Sequence, residues 1–304
     1  MPIPSGGGAS TATVADLVND IYSRLHSFTG LREQVTYLLT PVTTTETTLQ
    51  VANGDRISRG LIEVNDELML VEAVESNSVR LFPFGRAQDG STAASHDLNT
   101  KVTNDPLLPT VQILKAIQET CLQVHPDLFQ VKTTQITYSP AKVTYDLPGD
   151  VDRVLQVTAQ TPGPSGMWPV LRNYRYDQSA ATTSYLTGKS LDVYDRITSG
   201  YKLNVTYAAP YGTPQAMTDT VESLGIQDSV REVILLGACW RLTQNLEPAR
   251  LQIRSVEQLA RQEAVPPGAI TNLAKQFYAQ FQLRATEERK RLLALHPQQI
   301  FRTR

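Results

Sequence analysis

Cysteine, histidine and tryptophan are scarce in this chain, with two, four and two copies among 304 residues. Cys121 and Cys239 each sit inside an apolar helical pattern, which excludes a disulfide framework and predicts buried free thiols in a reducing compartment. His26, His96, His125 and His296 stand at no metal-ligand spacing from one another or from a cysteine, so no metal site is expected. Three of them, His26, His125 and His296, fall near predicted helix C-termini, where the helix dipole favours an imidazolium. An excess of either charge is also missing: 28 basic against 30 acidic residues leave −2, which argues against non-specific nucleic-acid binding as the main role. Long apolar runs are absent too. The longest, Val233 to Trp240, is too short to cross a bilayer, and Met1 to Ser10 has neither the basic nor the apolar part of a secretory signal.

Sets of residues that carry chemistry are equally thin. Gly188-Lys189-Ser190 matches the end of a phosphate-binding loop, but Thr183 stands where the required glycine would be. No G-x-S-x-G elbow occurs. Glu63, Asp66, Glu67 and Glu72 crowd one predicted hairpin, where they could bind calcium or exchange protons; lacking any EF-type spacing, they read as solvated turn carboxylates. No catalytic residue, metal or cofactor is therefore expected, and the chain does not read as an enzyme.

What is present is a long alternation of helical and β-rich stretches, not the short alternation of a βαβ fold. After residues 1–12, read as a flexible N-terminus, Val14, Leu17, Val18, Ile21 and Leu25 keep helical spacing behind Asp16. Residues 31–103 carry short alternating runs separated by Asn53-Gly54-Asp55, Asn65-Asp66 and Ser76-Asn77-Ser78, and predict a small β domain. A helix opening at Pro109 bears Leu114, Ile117, Cys121 and Val124 and ends at His125-Pro126. A second β-rich region spans 128–212, with Leu191/Val193 expected to pair with Leu203/Val205/Tyr207 across a Thr198-Ser199-Gly200 turn. Its many tyrosines suit either an interface or ordinary strands.

From 218 to 296 the pattern is helical again. Ser229-x-x-Glu232 reads as a capping box, Pro248 as the start of a further helix with Leu251 and Leu259, and Pro266-Pro267-Gly268 as a break. Ile270, Leu273, Phe277 and Phe281 on the last helix are expected to pack against Val230, Val233, Ile234 and Trp240. The expected fold class is α+β: a helical bundle built from the discontinuous segments 13–30, 104–127 and 218–296, with two inserted β-rich blocks and an extended C-terminal tail, 297–304. Arg284 to Arg304 carry a net charge of +4, leaving −6 for the first 283 residues. A basic, aromatic-containing tail behind an acidic body suits docking into an acidic groove; the plain alternative is a frayed, solubilising terminus.

Two segments carry a resemblance. Leu147-Pro148-Gly149-Asp150-Val151-Asp152-Arg153-Val154, the helix at Ser229, and Glu287-Glu288-Arg289-Lys290-Arg291-Leu292-Leu293 followed by His296-Pro297 resemble head-to-tail adaptor (connector, or head-completion) proteins of tailed bacteriophages. Gly60 to Leu68 with Gly85-Arg86-Ala87-Gln88-Asp89-Gly90-Ser91-Thr92-Ala93-Ala94-Ser95-His96 resembles a small β module of phage virion proteins, with Ala87 and Ser91 replacing its usual Gly and Thr. The resemblance implies a dodecameric ring in the virion neck, assembled in the host cytoplasm, that docks on the portal protein, extends the DNA channel and offers a platform to the tail or a stopper or tail-terminator protein. It places portal docking on Gln298, Gln299, Ile300, Phe301, Arg302 and Arg304, with the genomic DNA passing through unspecifically and no membrane involved. An acidic body fits such a channel, since like charge lets DNA slide. The alternatives are another virion component (a tail-completion, baseplate or fibre-attachment protein) or a β domain binding surface carbohydrate.

Overall fold

The computed structural model describes residues 12–29, 33–161, 167–251 and 269–297. Helix α1 (Val14–Thr29) opens on a reciprocal cap, in which the Thr13 N–H donates to Asp16 Oδ2 at 2.8 Å and the Asp16 N–H to Thr13 Oγ1 at 3.3 Å. Strands β1 (Gln34–Tyr37), β2 (Thr48–Gln50), β3 (Gly60–Val64), β4 (Glu67–Glu75), β5 (Ser78–Leu81) and β6 (Lys101–Asn104) form one antiparallel sheet in the order β1-β6-β3-β4-β5-β2. The sheet curls into a half-barrel whose edge strands meet just beyond β1 and β2, at the Leu38↔Val51 bridge. Leu38, Leu49, Ile62, Met69, Val79 and Val102 fill its interior. Its turns are tight: a Cβ on Gly54 would lie 1.7 Å from the Ser76 carbonyl oxygen, so only glycine fits there.

Helix α2 (Thr110–Val124) follows, with Pro109 at its N-cap position and His125 at its C-cap. Six more strands build two three-stranded antiparallel sheets: β7 (Gln130–Thr137), β8 (Thr144–Asp146), β9 (Arg153–Ala159), β10 (Tyr174–Asp177), β11 (Ser190–Val193) and β12 (Lys202–Ala209), ordered β10-β11-β8 and β7-β12-β9. They share a core of Tyr145, Leu147, Val157, Leu191, Leu203, Val205 and Tyr207. Helices α3 (Asp228–Leu251) and α4 (Ala269–Leu295) complete the described chain.

The expected fold class is thereby corrected. The chain is a β-rich mixed α/β protein with twelve strands in three antiparallel sheets and four helices among the described residues, not a helical bundle carrying β outgrowths. The reason lies in β12, which is buried on both faces at its C-terminal end. Leu203, Val205, Tyr207 and Ala209 point into the core between the two small sheets, whereas Ala208 points the other way. There it joins Phe129 and Leu155 in the same apolar cluster as Ile21, Ile117, Val233 and Phe281 from the helices. A sheet with two apolar faces must be covered on both, and the helices are that cover.

Three local expectations also change. β11 pairs with β10 and β8, and β12 with β7 and β9, so the hairpin across Thr198-Ser199-Gly200 is not formed. α3 runs through Pro248 to Leu251, so no new helix starts at Pro248, and Leu259 lies outside the described residues. Ser229 is already inside α3; its hydroxyl accepts from Arg291 and Glu232 accepts from Arg284, so the expected capping box is not made.

Candidate functional site

The first site is a buried polar clamp in the half-barrel. Glu67, at the start of β4, has no exposed surface. Its Oε1 accepts from Arg86 Nε at 2.7 Å and from the Ala87 N–H at 3.2 Å. Its Oε2 accepts from Arg86 Nη2 at 2.8 Å, the Ala94 N–H at 3.0 Å and His96 Nε2 at 2.9 Å. Arg86 spends its remaining donors on carbonyls, with Nη1 reaching Thr43 at 2.7 Å and Glu46 at 3.0 Å, and Nη2 reaching Ala94 at 2.7 Å. All the N–H donors of the guanidinium are thus used inside the protein. Burial on its own would raise the Glu67 pKa, but the arginine, the histidine and the two backbone N–H groups outweigh it and hold the carboxyl at about 2.

The clamp sews together three stretches distant in sequence, at residues 43–46, 67 and 86–96. It also fixes the neighbouring turn, Phe82-Pro83-Phe84-Gly85. The Gly85 N–H donates to the Phe82 carbonyl at 2.8 Å, and Leu70 exchanges hydrogen bonds with Gly85 and Phe82 at 2.6 and 3.1 Å. Gln88 Nε2 holds the Phe84 carbonyl at 2.6 Å. A Cβ on Gly85 would stand 2.6 Å from the Leu70 carbonyl oxygen. Ala87 is left-handed at φ 53°, and Ser91 takes the Leu68 N–H at 3.0 Å.

The crowded carboxylates of the hairpin do not act together. Glu67 enters the clamp, Glu72 pairs with Arg80 at 3.0 Å, Asp66 is exposed, and Glu63 accepts the Thr110 N–H at 2.6 Å. Burial raises the pKa of Glu63, against the lowering effect of that hydrogen bond. No group of three or more metal-ligating side chains gathers among the described residues. Lys189, in the rejected phosphate-loop match, donates instead to the Gly149 and Val151 carbonyls at 2.8 and 2.5 Å, closing the loop before β9. Three tyrosines of the second β region are internal ties: Tyr145 to Ser139, Tyr176 to Val151 and Tyr211 to Phe129, each through its hydroxyl to a backbone carbonyl. Burial pushes both cysteine thiols up to about 12.

The second site is the C-terminal end of α4. Arg291 donates through Nε to Glu288 at 2.7 Å and through Nη2 to Gln227 at 3.0 Å and Ser229 at 2.5 Å. Arg284 pairs with Glu232 at 2.9 Å, and Arg289 with Asp127 at 3.4 Å. Leu292 and Glu288 are buried beneath these contacts. Val230, Val233 and Ile234 on α3 are fully buried, and Phe277 and Phe281 on α4 lie in the same core. Leu273 and Trp240 are partly buried against that core, with the Trp240 ring 6.2 Å from Phe281. The side chain of Ile270 and the whole of Gln298 to Arg304 lie outside the described residues. What sequence reasoning missed is Gly237, where a Cβ would meet Phe281 at 3.0 Å. Its signal was a glycine in mid-helix, which marks close approach of another element.

Comparison with protein-family models gives no match, and comparison with curated proteins finds no similar one.

Proposed function

We propose that this chain is a non-catalytic structural protein of a tailed-phage particle: a head-to-tail adaptor that assembles as a ring, docks on the portal protein, and offers the tail its attachment platform while DNA passes through. The observation that carries the reading is the fastening of the end of α4. Arg284, Arg289 and Arg291 tie its last turns to α3 and to Asp127 beyond α2, so the end of α4 at Leu295 is a fixed point. A short basic segment with Ile300 and Phe301 that starts from a rigid base suits insertion into an apolar pocket ringed by carboxylates. Each copy would bind weakly, because ordering the segment consumes most of what burying two side chains contributes. Repetition around a ring converts weak contacts into firm attachment. The closed clamp at Glu67 supports the non-catalytic part of the reading, because its carboxylate, guanidinium and imidazole are spent on holding the barrel together.

The test is truncation after Pro297, with folding followed by thermal melting, ring formation by negative-stain microscopy, and binding to portal-bearing heads by co-sedimentation. The expected result is an unchanged melt and lost attachment. A truncated protein that sediments with heads as well as the full chain overturns the docking role, and a full-length chain that forms no ring overturns the adaptor reading.

A further inference from the structure

The chain contains one Asn-Gly pair, Asn53-Gly54, and one Asp-Gly pair, Asp89-Gly90. Both pairs can close on themselves, because glycine leaves its backbone nitrogen uncrowded beside the preceding side-chain carbonyl carbon. In an unfolded chain at neutral pH an ionised carboxylate is the poorer electrophile, so Asn-Gly reacts first. The fold treats the two pairs in opposite ways.

Asn53-Gly54 is locked. The Gly54 N–H, whose nitrogen would have to attack, donates to Asn77 Oδ1 at 3.1 Å. Asn53 Oδ1 accepts from the Asp55 N–H at 3.1 Å, and the Asn53 N–H donates to Thr36 Oγ1 at 3.0 Å. Gly54 itself is buried under the Ser76 carbonyl. Asp89-Gly90 is open. Both residues are exposed, and nothing lies within 4 Å of where a Cβ on Gly90 would stand. The Asp89 carboxylate makes no hydrogen bond or ion pair among the described residues. Asp89 and Gly90 have φ of 52° and 87°, and the left-handed conformation costs an L-residue such as Asp89, so turning out of it relieves strain.

We propose that Asp89 is a spontaneous modification site: the folded chain converts it to isoaspartate while Asn53 keeps its amide, the reverse of the order in the unfolded chain. The Gly90 nitrogen attacks Asp89 Cγ, a C–N bond forms, and one water leaves with a carboxyl oxygen, its proton and the amide proton. Water then opens the cyclic imide. Addition at the side-chain carbonyl restores aspartate; addition at the main-chain carbonyl breaks the original peptide link and leaves the chain running through Cβ and Cγ. Mass is unchanged, but the backbone gains a carbon between Gln88 and Ser91. That is the stretch in which the Ala87 and Ala94 N–H groups must reach Glu67 and the Ser91 hydroxyl must reach Leu68 and Gln88, so the change loosens the clamp.

The test keeps purified full-length protein for weeks at neutral pH and body temperature, folded in buffer or unfolded in urea. Its peptides are then mapped by fragmentation that separates aspartate from isoaspartate. A locked site reacts only from its opened fraction, so deamidation at Asn53 should be roughly tenfold or more slower in the folded chain than in urea, whereas isoaspartate at position 89 should form within about threefold of its rate in urea. In an Asp89→Asn chain, folded, the amide at position 89 should be lost while that of Asn53 is kept. Aged wild type should melt below the fresh protein, and Asp89→Glu, whose longer side chain closes this ring poorly, should melt the same before and after. A folded chain in which Asn53 reacts before position 89, or in which position 89 is as protected as Asn53, overturns the proposal. Isoaspartate at position 89 with an unchanged melt overturns its link to the clamp.

Discussion

The carboxylate of Glu63 on β3 accepts the backbone N–H of Thr110 at 2.6 Å, so a strand of the half-barrel caps the first turn of α2, 47 residues away in sequence. The apolar core of the half-barrel and the core under the helices share no buried residue, so this cap is a polar tie between two separate apolar clusters. A carboxylate at a helix N-terminus is well placed for the dipole and for a free N–H, but here it is also buried.

Replacing Glu63 therefore separates the two effects. Glu63→Ala should cost about 1–2 kcal/mol through the lost cap. Glu63→Gln keeps an acceptor without a buried charge and should melt close to the wild type. Because the folded-state pKa is raised above the ordinary 4.5, the associated stability is complete below 4.5 and is lost as pH rises through the folded value. Denaturant melts from pH 4 upward should show this loss in the wild type and not in Glu63→Gln.

The clamp predicts the opposite sign. Glu67 is held at about 2 against an ordinary 4.5, so its contribution is present above 4.5 and disappears as pH falls toward 2. That difference corresponds to something on the order of 3 kcal/mol. Arg86→Met leaves the carboxylate buried without its main partner and should cost about 3–5 kcal/mol at neutral pH. Urea titrations of the two chains at pH 7 and pH 3 check both statements: the gap between them should shrink in acid.

Ala87 sits at φ 53° and ψ 48°, a conformation in which its Cβ crowds the following carbonyl. The left-handed conformation costs an L-residue about 1–2 kcal/mol, and glycine gives part of that back as unfolded-state entropy. Ala87→Gly should accordingly stabilise the protein by about 0.5–1 kcal/mol, read as a higher denaturation midpoint with an unchanged slope.

Where α4 crosses α3, Gly237 lets Phe281 come close. A Cβ at that position would lie 2.4 Å from Thr120 Cγ2 and 3.0 Å from the Phe281 ring. Gly237→Ala should cost about 1–3 kcal/mol by overpacking, although alanine is the better helix former. Phe277→Ala should cost about 3–5 kcal/mol as a buried large-to-small change. Thermal melts decide both, and a stabilised Gly237→Ala would place the two helices further apart than described.

Local periodicity was enough to read some elements from the residues alone. Thr13 and Asp16 mark the start of α1, Pro109 and His125-Pro126 bracket α2, and Asn65-Asp66 and Ser76-Asn77 mark the turns of the half-barrel. These are signals between residues a few positions apart, where capping, turn chemistry and side-chain alternation act directly on the backbone. Choice of partner is a different matter. Leu191 and Val193 alternate as well as Leu203 and Val205 do, yet β11 and β12 belong to different sheets, because alternation states which face is apolar and not which strand lies alongside. Nor could spacing show that Glu67, Arg86 and His96 would meet or that Glu63 would reach Thr110, since such contacts exist only once the sheet has curled. The balance of the fold was decided at that level too: helical stripes are conspicuous in one dimension, whereas the second apolar face of β12, formed by Ala208, becomes visible only when the helices lie on it.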